Sequence, residues 1–251
     1  MRTRILEVLY PAPDHALLRF SAEPPIFAEP GEFVMVYGGW GAHPVLPRAF
    51  SLVESGRIGS ILVKAIGPGT DWLAAMQKDH ELAVFGPLGR GFDVDPEKTP
   101  VLVAGGVGVA PLLFLAERLA ASGRRAIFLY GARSENDLPL AEDIAGVAEL
   151  IVTTENGAVG EQGLITRPLQ RVLAEHPGCQ VYSCGPEGML EAVAEVAAAA
   201  EAPCQVCLEA PMACGLGTCK GCAVMTTGGS YKYVCLDGPV FPAPEIYGTA
   251  P

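Results

Sequence analysis

Through residues 1–96, apolar and polar positions trade places in short runs. Segments 4–10, 16–21, 32–37, 49–53, 59–66 and 82–85 are rich in β-branched and aromatic residues, and Gly and Pro punctuate them, with Pro11 and Pro13 in the first turn. Short strands at close, regular spacing predict a sandwich or barrel. One helix is expected to interrupt them at 70–77, where Thr70 or Asp71 offers a capping oxygen to first-turn N–H groups. From residue 97 the pattern lengthens. Segments 101–104, 126–130, 150–153 and 180–183 read as buried strands, and 109–121, 138–144, 165–174 and 187–200 as helices. The last helix sets Leu190, Val193 and Val196 against Glu187, Glu191 and Glu195 on its other side. Strictly alternating strands and helices predict a parallel sheet covered on both faces. From residue 203 periodicity is lost, and Gly, Pro and Cys dominate. The expected architecture is α+β multidomain: an antiparallel barrel (1–96), an α/β parallel-sheet domain (97–202) and a small C-terminal domain (203–251).

Composition narrows this picture. Of 251 residues, 50% are hydrophobic, and 30 Gly with 22 Pro fall short of a disordered composition. A net charge of −11 argues against nucleic acid and anionic lipid as partners. Residues 99–116 carry no charge and approach the roughly 18-residue minimum for a membrane span. Gly105, Gly106, Gly108, Pro100 and Pro111 make them a strand, a turn and a helix start instead. Glu7 interrupts the apolar run near the N-terminus, so no signal peptide is expected and a cytoplasmic location is.

Reduced thiols are the rule in that compartment, so eight cysteines point to metal rather than disulfides. The densest group is Cys214-x4-Cys219-x2-Cys222, followed after twelve intervening residues by Cys235. The first three cysteines match the plant-type ferredoxin spacing for a 2Fe–2S cluster. Such a loop must converge thiolates while aiming N–H groups at sulfur, and Gly215, Gly217 and Gly221 permit the required backbone. Zinc is the competing reading, through the pairs Cys204-x2-Cys207 and Cys219-x2-Cys222. Cys179 reads as a small buried residue.

The turn Gly105-Gly106-Val107-Gly108 joins a predicted strand to a predicted helix, and Cys184-Gly185-Pro186 does so later. Both place N–H groups at the carboxyl edge of a parallel sheet, where a pyrophosphate is favoured. A nicotinamide cofactor moves two electrons and a 2Fe–2S cluster one, so a chain with both needs a converter, and flavin is the common one. The barrel is then the flavin site, with Arg48 for phosphate, Ser51 for a ring or ribose contact, and the Gly67-x-Gly69-Thr70 turn for pyrophosphate. No catalytic acid or base stands out. His15, His43, His80 and His176 are scattered and read as surface or turn residues. Lys220 and Lys232 lie near the cysteine loop and are candidates for docking a partner.

Taken together, Arg48-x-x-Ser51, Gly67-x-Gly69-Thr70, Gly86-Pro87-Leu88-Gly89, Gly105-Gly106-x-Gly108-x-Ala110-Pro111, Cys184-Gly185-Pro186 and Glu209-x-x-Met212-x-Cys214-Gly-x-Gly217-x-Cys219-x-x-Cys222 resemble the ferredoxin–NADP reductase superfamily. Within it they are most similar to the electron-transfer subunits of type B, NAD-dependent dihydroorotate dehydrogenases. That resemblance implies FAD contacts at Arg48, Ala49, Phe50 and Ser51, at Leu62, Val63 and Lys64, and at Gly69 and Thr70. It implies cluster ligation by Cys214, Cys219, Cys222 and Cys235, with Cys184 near the nicotinamide of NAD. It also implies an FMN-containing catalytic partner in a two-plus-two heterotetramer, whose electrons run through the cluster and FAD to NAD. Ala49 departs from the proline common in the family. The alternatives are a reductase subunit of a hydrogenase, sulfide dehydrogenase or transhydrogenase complex, and a zinc-stapled binding module.

Overall fold

The computed structural model describes residues 1–39 and 45–248; His43 lies outside them. Six strands close a barrel: β1 (Arg2–Ala12), β2 (His15–Ile26), β3 (Phe33–Tyr37), β4 (Arg48–Glu54), β5 (Gly56–Lys64) and β6 (Glu81–Leu88). The order is β1-β2-β5-β4-β3-β6, antiparallel throughout. Side chains two apart share a face of a strand. Leu18 and Phe20, Val34 and Val36, Ile61 and Val63, and Leu82 and Val84 therefore point inward together and form the barrel core. Helix α1 (Pro68–Ala74) starts two residues before the expected Thr70 and stops before Gln77. Pro68 fits a first helical position, where its missing N–H costs nothing. Thr70 sits inside the helix, its hydroxyl accepting from the N–H groups of Ile66 and Gly67 at 3.0 and 3.2 Å.

A seven-stranded sheet follows. It is built from β7 (Thr99–Gly105), β8 (Ala126–Ala132), β9 (Ala148–Thr154), β10 (Glu161–Gln162), β11 (Cys179–Cys184), β12 (Cys204–Cys207) and a late strand, Val240–Pro242. Helices α2 (Val109–Ala121), α3 (Ala141–Val147), α4 (Thr166–Glu175) and α5 (Glu187–Ala199) link these strands. Val101, Val103, Ile127 and Leu129 pack with α4 and α5 on one face, and Leu102, Ala104, Phe128 and Tyr130 with α2 and α3 on the other. Ala194 and Ala197 complete the buried stripe of α5, while Val196 is half-buried. Helix α3 lies later than the expected 138–144, because Pro139 and a left-handed Leu140 (φ 63°) precede it.

The C-terminal segment is stitched into this sheet. β12 pairs parallel with β11, and the late strand pairs antiparallel with β12, Cys207 opposite Val240. Between those roots, 208–239 leave the sheet edge, carrying the hairpin β13 (Ala223–Met225) and β14 (Tyr231–Tyr233) and the turn α6 (Val234–Asp237). The late strand is thus β15, and α7 (Ala243–Tyr247) follows it. Barrel and sheet share packing too. Phe114 of α2 is buried in the barrel core, and Lys64 Nζ meets Asp137 Oδ1 at 2.6 Å. No helix among the described residues is long and apolar enough to cross a membrane.

Candidate functional site

The four cysteines of the C-terminal loop converge as two pairs. The Cys219 N–H donates to Cys214 Sγ at 3.4 Å, and the Cys222 and Cys235 sulfurs are 3.2 Å apart. Further N–H groups aim at sulfur: Leu216 at Cys214 (3.3 Å) and Gly217 at Cys235 (3.1 Å). Donation from Cys219 and Leu216 lowers the Cys214 thiol to about 6. Burial and the adjacent Cys222 raise Cys235 to about 11; a metal between those two sulfurs would reverse that and deprotonate both. Gly215 and Gly217 take left-handed φ (69° and 74°), as the sequence suggested, but the third left-handed residue is Lys220 rather than Gly221.

The zinc pairing fails on geometry. Cys204 and Cys207 lie three apart on β12, and their side chains enter the cores on opposite faces of the sheet. Among the described residues, no three His, Cys, Asp or Glu side chains gather tightly enough for a single ion. Four cysteines that meet in pairs would suit a two-iron core, which they would hold through thiolate sulfur.

Gly215 presses the loop against the barrel. A Cβ there would lie 2.8 Å from Met35 and 3.0 Å from Leu88. Cys214, Met35, Tyr37 and Pro47 line a shared cavity of about 480 Å³. Beside it, the Arg48 guanidinium reaches Gly69, where a Cβ would meet it at 3.1 Å, so Arg48 and the start of α1 form one cradle with Thr70. Ser51, Ala49 and Phe50 are half-buried on β4. The ladder from β4 to β5 runs from Glu54–Ser60 to Leu52–Ile61 and stops, so the strands part beside Leu62, Val63 and Lys64. Leu62 and Val63 point into cores and Lys64 is paired with Asp137, so this stretch offers its backbone to the cleft.

A second cavity, of about 670 Å³, opens at the carboxyl edge of the sheet. Gly105, Gly106, Gly185 and Pro186 line it together, because β7 and β11 are neighbours. The two turns touch: a Cβ on Gly108 would fall 2.2 Å from the Cys184 carbonyl oxygen. The Cys184 thiol turns into the core against Cys207, and that neighbour and burial hold it well above the ordinary thiol range. Several lining residues were not singled out as contacts from sequence: Lys64 and Asp137 as a pair, Arg133, Glu155 and Glu209. Arg133 and Glu155 directly follow strands, the one signal that could have marked them. Tyr130 is another. Its hydroxyl donates to the carbonyls of Gly106 (2.9 Å) and Pro139 (3.0 Å), fixing the glycine turn.

Comparison with known proteins decides among the readings. The family described as "Iron-sulfur cluster binding domain of dihydroorotate dehydrogenase B" matches residues 209–247, and "Oxidoreductase NAD-binding domain" matches 102–195. The chain is 39% identical over 222 residues to the dihydroorotate dehydrogenase B (NAD(+)), electron transfer subunit, of Caldanaerobacter subterraneus subsp. tengcongensis, covering 86% of each. The chain belongs to the electron transfer subunits of dihydroorotate dehydrogenase B. The probable subunit of Methanopyrus kandleri is 38% identical over 234 residues, covering 93% of this chain and 86% of its own. Among solved structures, an NADH-dependent reduced ferredoxin-NADP oxidoreductase superposes with a TM-score of 0.88 at 25% identity, covering 97% of this chain and 89% of that one. As an electron transfer subunit of dihydroorotate dehydrogenase B, the chain is part of an oxidoreductase whose catalytic subunit is a separate partner.

Proposed function

We propose that Cys214, Cys219, Cys222 and Cys235 hold a 2Fe–2S cluster, that the cleft between β4, β5 and α1 holds FAD, and that the cavity at Gly105, Gly106, Gly185 and Pro186, with Gly108 buried behind it in contact with the Cys184 turn, takes NAD. The observation that carries this reading is the docking of the cysteine loop on the barrel: Gly215 touches Met35, and Cys214 and Pro47 line one cavity beside Arg48. When bound, these groups supply one-electron transfer at sulfur-held iron and its conversion, through flavin, to the hydride chemistry of NAD. Leu216, Gly217 and Cys219 offset thiolate charge with their N–H groups. Arg48 offers a fork of donors to phosphate. Tyr130 holds the turn that faces the pyrophosphate. The three functional units correspond to residues 1–96, 97–202 and 203–251, with the last rooted in the sheet of the second.

The partner in this reading is an FMN-containing subunit that oxidises dihydroorotate, in a two-plus-two heterotetramer in the cytoplasm. Exposed Lys220, beside Cys219 and Gly221, is the better docking candidate, since Lys232 is tied to Glu245 at 2.7 Å. The test is purification alone and together with the partner. The lone chain should contain flavin and iron and pass electrons from NADH to artificial acceptors, while only the complex reduces NAD with dihydroorotate. Oxidation of dihydroorotate by the lone chain, or a preparation free of iron and flavin, would refute the reading.

A further inference from the structure

Glu209 is where the chain leaves the sheet. It follows β12 and Leu208, whose N–H donates to the Pro239 carbonyl at 2.9 Å and ties the two roots of the loop together. Its side chain lines the 670 Å³ cavity with Gly105, Gly185 and Pro186, close enough to Cys184 for its charge to act on that thiol. Among the described residues it forms no ion pair, whereas Asp137, on the same cavity wall, is neutralised by Lys64. Partial desolvation at the cavity wall raises the Glu209 carboxyl above its ordinary range, although the residue as a whole remains exposed.

Its position along the cavity gives that anion a meaning. Glu155, Gly163 and Leu164 line the side formed by the ends of β9 and β10. Glu209 stands on the opposite side, six positions before Gly215, which touches Met35 and Leu88 of the barrel. The chain thus runs from Glu209 on this side of the cavity to the barrel that forms the flavin cleft, toward which a dinucleotide must present its nicotinamide. The oxidised nicotinamide ring is a cation and the reduced ring is neutral. A carboxylate in a partly enclosed cavity attracts the first and is indifferent to the second.

We propose that Glu209 determines redox-state specificity, making this cavity prefer the oxidised, cationic nicotinamide to the reduced, neutral one. The inference rests on the assignment of NAD to this cavity. It gives the subunit a site that loads the electron acceptor and releases the reduced product. Of the remaining charged groups of the cavity, Asp137 is offset by Lys64, Arg133 has the sign that would disfavour a cation, and Glu155 lies on the far side by the ends of β9 and β10.

The test is titration calorimetry on the flavin- and iron-loaded chain. NAD+ is titrated into the oxidised protein and NADH into the fully reduced protein, so that neither turns over. ADP-ribose, which lacks the nicotinamide, is the control. Glu209→Gln should weaken NAD+ binding about tenfold, equal to ~1.4 kcal/mol, and leave NADH and ADP-ribose within about twofold. Glu209→Asp, which keeps the charge, should retain most of the preference and serves if the Gln variant does not fold. Equal weakening of NAD+ and NADH, or no change in either, would overturn the proposal. Wild-type protein that binds neither dinucleotide would overturn the cavity assignment itself, and this inference with it.

Discussion

Leu18 and Cys235 are almost equally inaccessible, at 0% and 3% exposure, for unlike reasons. Leu18 is enclosed by residues that alternate inward from every barrel strand. Cys235 lies under a loop that leaves Leu216, Met225, Tyr231 and Leu236 exposed. Its nearest polar neighbours are another thiol and a backbone N–H. Apolar burial shapes the first region, and the second is arranged around what its sulfurs bind. The comparison teaches that a small segment can be ordered without a core of its own if its ligand set and its roots are fixed.

Removing one sulfur should break the contrast most sharply. Cys235→Ala is expected to abolish the cluster's visible absorption and cut bound iron to near zero, while flavin absorption remains and the barrel still melts cooperatively. Simultaneous loss of flavin and of the barrel transition would show that the regions are one unit. Next in size, Leu18→Ala should destabilise the barrel by about 2–5 kcal/mol, as large-to-small core changes do. Denaturant unfolding reads that loss, and the cluster spectrum should be unchanged below the transition. The smallest effect is expected at the join of barrel and sheet. Lys64 and Asp137 are 29% and 24% exposed, so Lys64→Ala should cost about 1 kcal/mol or less. Lys64 depresses the Asp137 carboxyl below its ordinary 3.8. The pair's contribution is therefore present above 3.8 and lost as pH falls through the lower folded value. Wild type and Lys64→Ala should then converge in stability in strong acid; a constant gap down to that range would assign the Lys64 effect to packing.

The barrel strands were legible from alternation and β7, β8, β9 and β11 from short apolar runs, both local signals, whereas β12 (Cys204–Cys207) was missed among the cysteines and prolines of the C-terminal segment. The helices α2 and α5 were legible for the same reason. What escaped depended on distant partners. Val240–Pro242 becomes a strand because β12 lies beside it, and nothing in its three residues announces that. Thr70 looked like a helix cap, but its hydroxyl serves the turn before it from within the helix. His15, read as a surface or turn residue, is 2% exposed, with Nδ1 on the Pro13 carbonyl at 2.6 Å. The cysteine spacing stood out because its loop is local. The Lys64–Asp137 pair and the cavity position of Glu209 needed the order of strands in the sheet, which residue spacing does not encode.

The pairing of β12 with β15 has a consequence for the order of assembly. Bringing the ends of 208–239 together carries an entropic cost that grows slowly with loop length. The ladder from Cys207–Val240 to Gln205–Pro242 meets that cost within the sheet itself. The four thiols are therefore confined to a small volume before any iron arrives. An iron-free chain is then expected to keep its four thiols tethered to the sheet edge, with the site left to be filled rather than rebuilt.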